Sequence, residues 1–293
     1  MSRCSKHHSQ YVYHAAAYGL AGEFERPSRH SIPTQAATVL AAGGGRGYDR
    51  VENFSFDGTV SFKTAFVEVG GSYDECHNRH TSYACAVVEG LNVLDVVSAD
   101  RIVSRMAIYS PIEGDKTGDA TFDITGSHFE NLKIAGHKID VKLATHVFHN
   151  YDTYSKIARG HQARELDNWL LGSKLGKLNG DQLAELEDTY HSLGGISEIV
   201  REWKPTGDRP ADRGSYSFSP ANHLQLEDHT GGETELLGFG SIICIPKFGV
   251  VRLAEYLVHK HCRTLTMLRV QMCSTGTGGT DVGGSGGSGG TTG

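Results

Sequence analysis

VENFSFDGTVSFKTAFVEV, residues 51–69, sets two alternating runs of aromatic and β-branched residues on either side of Asp57-Gly58. Strand formers at a period of two, flanking an Asp-Gly pair, are the signature of a β-hairpin. A plain two-residue turn places Phe54 opposite Ser61 and splits the aromatic residues between two faces. A type I turn with Gly58 as a left-handed bulge places Phe54 opposite Val60 and keeps them together. The second register is the expected one, because register follows burial.

The same pattern recurs outward from this hairpin. YACAVVEGLNVLDVVSADRIVSRMAIYS (83–110) supplies two or three more strands, and SIICIPKFGVVRLAEYLVHKHCRTLTMLRVQMC (241–273) supplies a further set. NLKIAGHKIDVKL (131–143) reads as a short hairpin with Gly136 and His137 as the central residues of a type II′ turn,. Ile134 then faces Ile139, Leu132 faces Val141, and Lys133 faces Asp140. His137 sits at the loop tip with no chemical role.

The expected fold is therefore mainly β, a β-sandwich or jelly-roll-like body with an α-helical insert and a disordered Gly-rich tail. Residues 1–35 are polar and aromatic, with prolines in RPSRHSIPTQ, and are expected to form an extended N-terminal arm,. Residues 36–151 form the first part of the sandwich. Over 152–204 the period changes. Leu166, Trp169 and Leu170 mark one helix (162–171), Leu183, Leu186, Tyr190 and Leu193 a second, and Ile196, Ile199, Val200 and Trp203 a third,. Residues 205–273 hold a polar loop and the second part of the sandwich. Residues 274–293, STGTGGTDVGGSGGSGGTTG, lack side chains to bury and have the composition of an engineered linker, so a flexible Gly/Ser/Thr tail is expected,.

Composition narrows the function. The 293 residues carry a formal charge of −6 and no run of like charge that reaches five residues, which offers nucleic acid no basic face,. No apolar stretch approaches the length of a membrane span. The N-terminus has no apolar segment after its basic residues, so the chain is expected to be cytoplasmic as synthesised, with export by an unconventional route left open. The six cysteines include no CxxC pair and read as reduced thiols, a single Cys76–Cys85 bridge across a hairpin remaining an alternative,. No cofactor is expected. Gly43, Gly44, Gly45 and Gly47 do not form a phosphate loop, since a strand and not a helix follows them.

Candidate functional residues cluster in four places. Cys76, His77, His80 and Cys85, within CHNRHTSYAC, are the candidate zinc ligands by residue type, although their spacing matches no familiar knuckle,. His259 and His261 form an HxH pair, but no acid follows to complete a cupin metal site. Asp208, Asp212, Glu227 and Asp228 crowd a long polar loop and are candidate ligand-binding residues,. Tyr11, Tyr13 and Tyr18 in the arm are candidate interface residues, with packing of the arm on its own domain as the competing reading,.

VEGLNVLDVVSADRIVSRM, GSHFENLKIAGHKI and IPKFGVVRLAEY with LTMLRVQM resemble, in order, the β-rich bacterial choice-of-anchor proteins. The resemblance implies a surface or envelope protein of β-sandwich type with no catalytic residue to carry over. By the same reading the chain is expected to depart from that pattern, with neither a signal peptide nor a sorting signal. The reading that follows is a non-enzymatic structural or self-assembling protein whose partner is itself, a homo-oligomer. The alternative is a ligand-binding β-sandwich with carbohydrate as partner, and the third is a metal-dependent or hydrolytic enzyme.

Overall fold

The structure, a computed structural model, describes residues 11–24, 30–112, 119–169, 215–221, 223–226, 236–245, 248–260, 262–272 and 278–291. It is mainly β, built from two antiparallel sheets packed face to face. The first sheet contains β1 (Tyr11–Phe24), β2 (His30–Val39), β11 (Ser215–Phe218), β13 (Leu237–Phe239), β14 (Ile242–Ile245), β15 (Gly249–His259), β16 (Arg263–Met272) and β17 (Gly278–Thr291). Its order is β13-β14-β15-β16-β17-β1-β2, with β11 on β15.

The second sheet contains β3 (Gly45–Phe56), β4 (Val60–Asp74), β5 (Arg79–Val93), β6 (Val97–Pro111), β7 (Thr121–Asp123), β8 (His128–Glu130), β9 (Lys133–Ile134), β10 (His137–Lys142) and β12 (His223–Leu226). The strands run β12-β10-β9-β6-β5-β4-β3, with β7 and β8 also on β6. Two short helices, α1 (Thr145–Asn150) and α2 (Tyr154–Gln162), follow β10. Thr153 caps α2 by accepting from the Lys156 N–H,.

Alternation along the strands builds the core. Ala84, Ala86 and Val88 of β5 are buried, as are Ile102, Ser104 and Met106 of β6 and Ala65, Val67 and Val69 of β4. Facing them from the first sheet are Ala15, Ala17 and Leu20. Alanines at these facing positions let the sheets approach closely: a side chain at Gly19 would meet the Ala65 methyl. Each fully buried Leu, Ile, Phe or Met contributes about 1.5–3 kcal/mol, so this interior dominates stability.

A transverse crease crosses each sheet. In the second sheet the alternation flips at Asn53, Lys63, Gly90 and Asp100. Before it Val60, Phe62, Leu91 and Ala99 point inward; beyond it Ala65, Val88 and Ile102 do. Asn53 and Gly90 have φ of 52° and 65°, and Asn131, with φ of 48°, closes the line by donating from Nδ2 to Asp100 Oδ2 at 2.6 Å. The first sheet has the same device at Ala36 and Ala254, φ 48° and 50°. A left-handed residue on every second strand rotates the chain without shifting register, so one strand serves two differently oriented stretches of core.

Several expectations are corrected. Residues 11–24 are not an arm but β1, paired on both sides, with Tyr18 opposite Ala37 of β2 and opposite Gly284 of β17. Residues 278–291 are not a flexible tail but β17, which lies between β1 and β16 and packs across the core on β5 and β6. The reason is steric. Tyr18 lies over Gly284 so closely that an added Cβ would run into its ring. An aromatic ring over a strand glycine shields backbone that would otherwise be bare.

Both turns also differ from expectation. Asp57 and Gly58 have φ of 49° and 66°, the signature of a type I′ turn,. Phe54 faces Phe62, not Val60, with rings stacked at 5.0 Å. The aromatic residues do share one face, through a different register. In the 131–143 hairpin the central residues are Ala135 and Gly136, φ 48° and 83°. His137 therefore pairs with Ile134, Lys138 with Lys133, and Ile139 bonds back to Leu132. Pairing of Ile134 with Val97 of β6 fixes this register.

Within the expected insert, α2 ends at Gln162 and turns carry the chain through Leu166, fully buried, and Trp169, half-buried beside Phe148. The expected helix over 162–171 is thus displaced toward the N-terminus. The later helices, with Trp203, lie outside the described residues.

Candidate functional site: a tyrosine–histidine clamp and an open sheet edge

Two of the candidate groups converge at one end of the sandwich. Tyr11 and Tyr13 lie two apart on β1, so both point across the core. His80 opens the inward row of β5 and pairs with Tyr73 of β4 on one side and Ser110 of β6 on the other. The Tyr11 ring stacks on His80 at 3.8 Å, with planes 4° apart, and its hydroxyl donates to Ser110 Oγ at 2.7 Å. Tyr13 meets the same imidazole edge-on, its hydroxyl 2.7 Å from His80 Nδ1.

Burial sets the protonation states of this group. It lowers the His80 pKa and raises those of Tyr11 and Tyr13,. The imidazole is thus neutral at physiological pH, and its Nδ1 shares one hydrogen bond with the Tyr13 hydroxyl. Chemically this is a clamp between sheets: both tyrosines are buried, at 9% and 8% exposure, against residues of their own chain. Packing on their own domain was the competing reading of these two residues, and it is what the burial of both rings shows. Tyr18 lies on the opposite side of β1, half-buried over Gly284.

The zinc set does not assemble. His80 lies on the inward row of β5 and Cys85 on the outward row, opposite Glu68; five residues of strand put them roughly 17 Å apart. His77 Nδ1 is 2.7 Å from Asp74 Oδ2, and Arg79 Nε approaches the same oxygen at 3.4 Å. Chiefly through the His77 bond, the Asp74 carboxyl is held below its usual pKa. Cys76 is an exposed free thiol at the hairpin tip, and burial pushes the half-buried free thiol of Cys85 upward. Among the described residues no three His, Cys, Asp or Glu side chains gather as a metal site. Asp208, Asp212, Glu227 and Asp228 lie outside the described residues, as does His261.

The second feature is an edge that the sequence reading missed. Strand β3 ends the second sheet. Arg46, Tyr48, Arg50 and Glu52 form its outward row, and all four are exposed. Tyr48 is 78% exposed and Val39, beside Gly47 on the neighbouring edge, is 67% exposed. These two are the most exposed large apolar residues described. On the other row, Asp49 bridges the two sheets by accepting from the Ala37 N–H at 2.9 Å. Alternating polar residues in GRGYDRVE were the available signal, obscured by the glycines before it.

The remaining long edge is differently made. Strand β2 carries Pro33 and the left-handed Ala36, both of which interrupt pairing,. At the far side of the sandwich β12 and β13 are only four and three residues long. From Gly45 to Glu52, by contrast, β3 has neither proline nor crease.

No curated protein and no solved structure matches the chain. The model of a family described as Domain of unknown function (DUF8256) matches residues 11–259, from the start of β1 to the end of β15. That span is the greater part of the molecule, and the chain belongs to the DUF8256 family.

Proposed function

We propose that this chain is a non-enzymatic structural protein that associates with copies of itself through the open edge of β3. The observation that supports this reading is the conjunction of a regular edge that no described strand pairs with and the two most exposed apolar side chains among the described residues, Tyr48 and Val39. Unpaired edges attract further strands unless they are short, bulged, proline-bearing, charged or covered. The other long edge is interrupted by Pro33 and the left-handed Ala36, whereas among the described residues β3 is guarded only by charges, Arg46, Arg50 and Glu52 outward and Asp49 inward,. The resemblance to choice-of-anchor proteins adds the proposal that the assembly serves at a bacterial surface.

The test is the native mass of the wild-type chain beside a Val39→Lys/Tyr48→Lys variant. Both positions are exposed, so the variant retains its fold. A wild-type mass that is a multiple of 31.7 kDa, falling to the monomer in the variant, supports the proposal. A monomeric wild type at millimolar concentration refutes it.

A carbohydrate-binding reading draws on one observation. Tyr73 is 42% exposed at the β4–β5 tip, its hydroxyl bonded to Asn78 beside Asp74 and Arg79. An exposed ring next to polar groups is a common platform for a sugar face. A glycan array, with Tyr73→Ala as control, tests it.

A further inference from the structure

Resting on the self-association proposed above, the geometry points to a specific partner and register: we infer that β3 pairs antiparallel with β3 of a second copy, across a two-fold axis at Asp49. An isologous contact between identical strands must obey two constraints. The outward row must meet the outward row, which permits an axis only on a residue. The pairing must also stay within Gly45–Asn53, because the crease at Asn53 turns Phe54 and Phe56 inward.

Charge and length then select among the permitted axes: an axis at Val51 sets Arg50 opposite Glu52 but pairs only residues 49–53. An axis at Tyr48 sets Arg46 against Arg50 of the second copy, twice. An axis at Arg50 sets two guanidinium groups face to face. An axis at Asp49 sets Arg46 opposite Glu52 and Tyr48 opposite Arg50, each twice by symmetry, and uses the whole segment from 45 to 53. Opposite charges directly across an antiparallel pair attract, and arginine over a tyrosine ring adds a cation–π contact. The one unfavourable meeting is Asp49 with its own copy. Each of those carboxylates accepts the Ala37 N–H at 2.9 Å and the Arg50 N–H at 2.8 Å, and pairing hands the Arg50 N–H from the carboxylate to the Tyr48 carbonyl of the second copy.

Glu52 is positioned for this role, already lying 2.6 Å from Arg50 of its own strand. In the pair it sits between that guanidinium and Arg46 of the second copy. The result is one continuous sheet through two subunits, with the charged row forming a ladder on its outer face.

Two experiments on the full chain test the register. Arg46→Glu or Glu52→Arg alone places like charges opposite each other twice, and each raises the dimer dissociation constant about tenfold or more. The double variant R46E/E52R restores wild-type association. Asp49→Cys places one cysteine on the axis, and mild oxidation yields a dimer whose cross-linked peptide joins residue 49 to residue 49. If the wild type is dimeric but the double variant fails to rescue and Asp49→Cys links elsewhere, the register is wrong while self-association stands. If the wild type is monomeric, both fail.

Discussion

The Tyr11 and His80 rings lie face to face, 3.8 Å between centroids, and join the first strand of one sheet to the meander of the other. Tyr13 and Ser110 complete the contact with a hydrogen bond each. Four side chains from three strands thus fix one end of the sandwich.

Removing the ring should loosen that end measurably. His80→Ala loses the stack and strands the buried Tyr13 hydroxyl, and is expected to cost about 2–3 kcal/mol. Tyr11→Phe keeps the stack and loses only the bond to Ser110, costing about 1 kcal/mol. Urea unfolding midpoints of the two variants check the order.

Acid should act on the same residue. His80 has a lowered pKa in the folded chain because it is buried, so below about pH 6.5 the unfolded chain binds the proton more readily. Stability is then complete above that pH and falls as pH drops toward the folded pKa. Thermal unfolding of wild type and His80→Phe between pH 7 and pH 5 tests this. The wild type should lose more than the variant, and equal losses would exclude His80 as the source.

The glycine-rich C-terminal strand makes a sharp prediction. If β17 completes the first sheet, deletion of residues 274–293 leaves β1 and β16 without a shared neighbour, and the domain does not fold. Gly284→Val forces a side chain into the Tyr18 ring and costs about 1–3 kcal/mol. A truncated chain with an unchanged melting temperature would contradict this placement.

Thiol reactivity should separate the two cysteines once paired as ligands. Cys76, exposed at the hairpin tip, alkylates rapidly at pH 7.5. Cys85, half-buried with a raised pKa, reacts more slowly by about tenfold or more,. Site-resolved mass spectrometry of a timed alkylation gives both rates.

The meander and the long strands at 241–273 were legible because their apolar residues alternate. Hairpin register was less so. Moving the turn at Gly136 by one residue leaves Leu132, Ile134 and Ile139 on one face, so burial alone does not choose between registers; Ile134 is set by its bond partners on β6. The creases at Asn53 and Ala254 were hidden: alanine gives no sign of a positive φ, and Asn53, of a type that does favour one, sits inside an otherwise regular strand pattern,.

At β17 the sequence carries almost no signal. A glycine strand has no side-chain period, and only the rings of its neighbours show what it supports. The clamp was half legible: Tyr11, Tyr13 and His80 were each singled out, but as arm and metal residues. Nothing local in the chain says that residues 67 positions apart share a bond.

Amide hydrogen exchange over residues 45–56 at a series of protein concentrations tests the account most directly. Pairing through β3 predicts that amides between Gly45 and Glu52 gain protection as concentration rises and lose it on dilution, while those of the buried strand β5 stay constant. Exchange along β3 that is fast and identical at every concentration would contradict an edge where two copies meet.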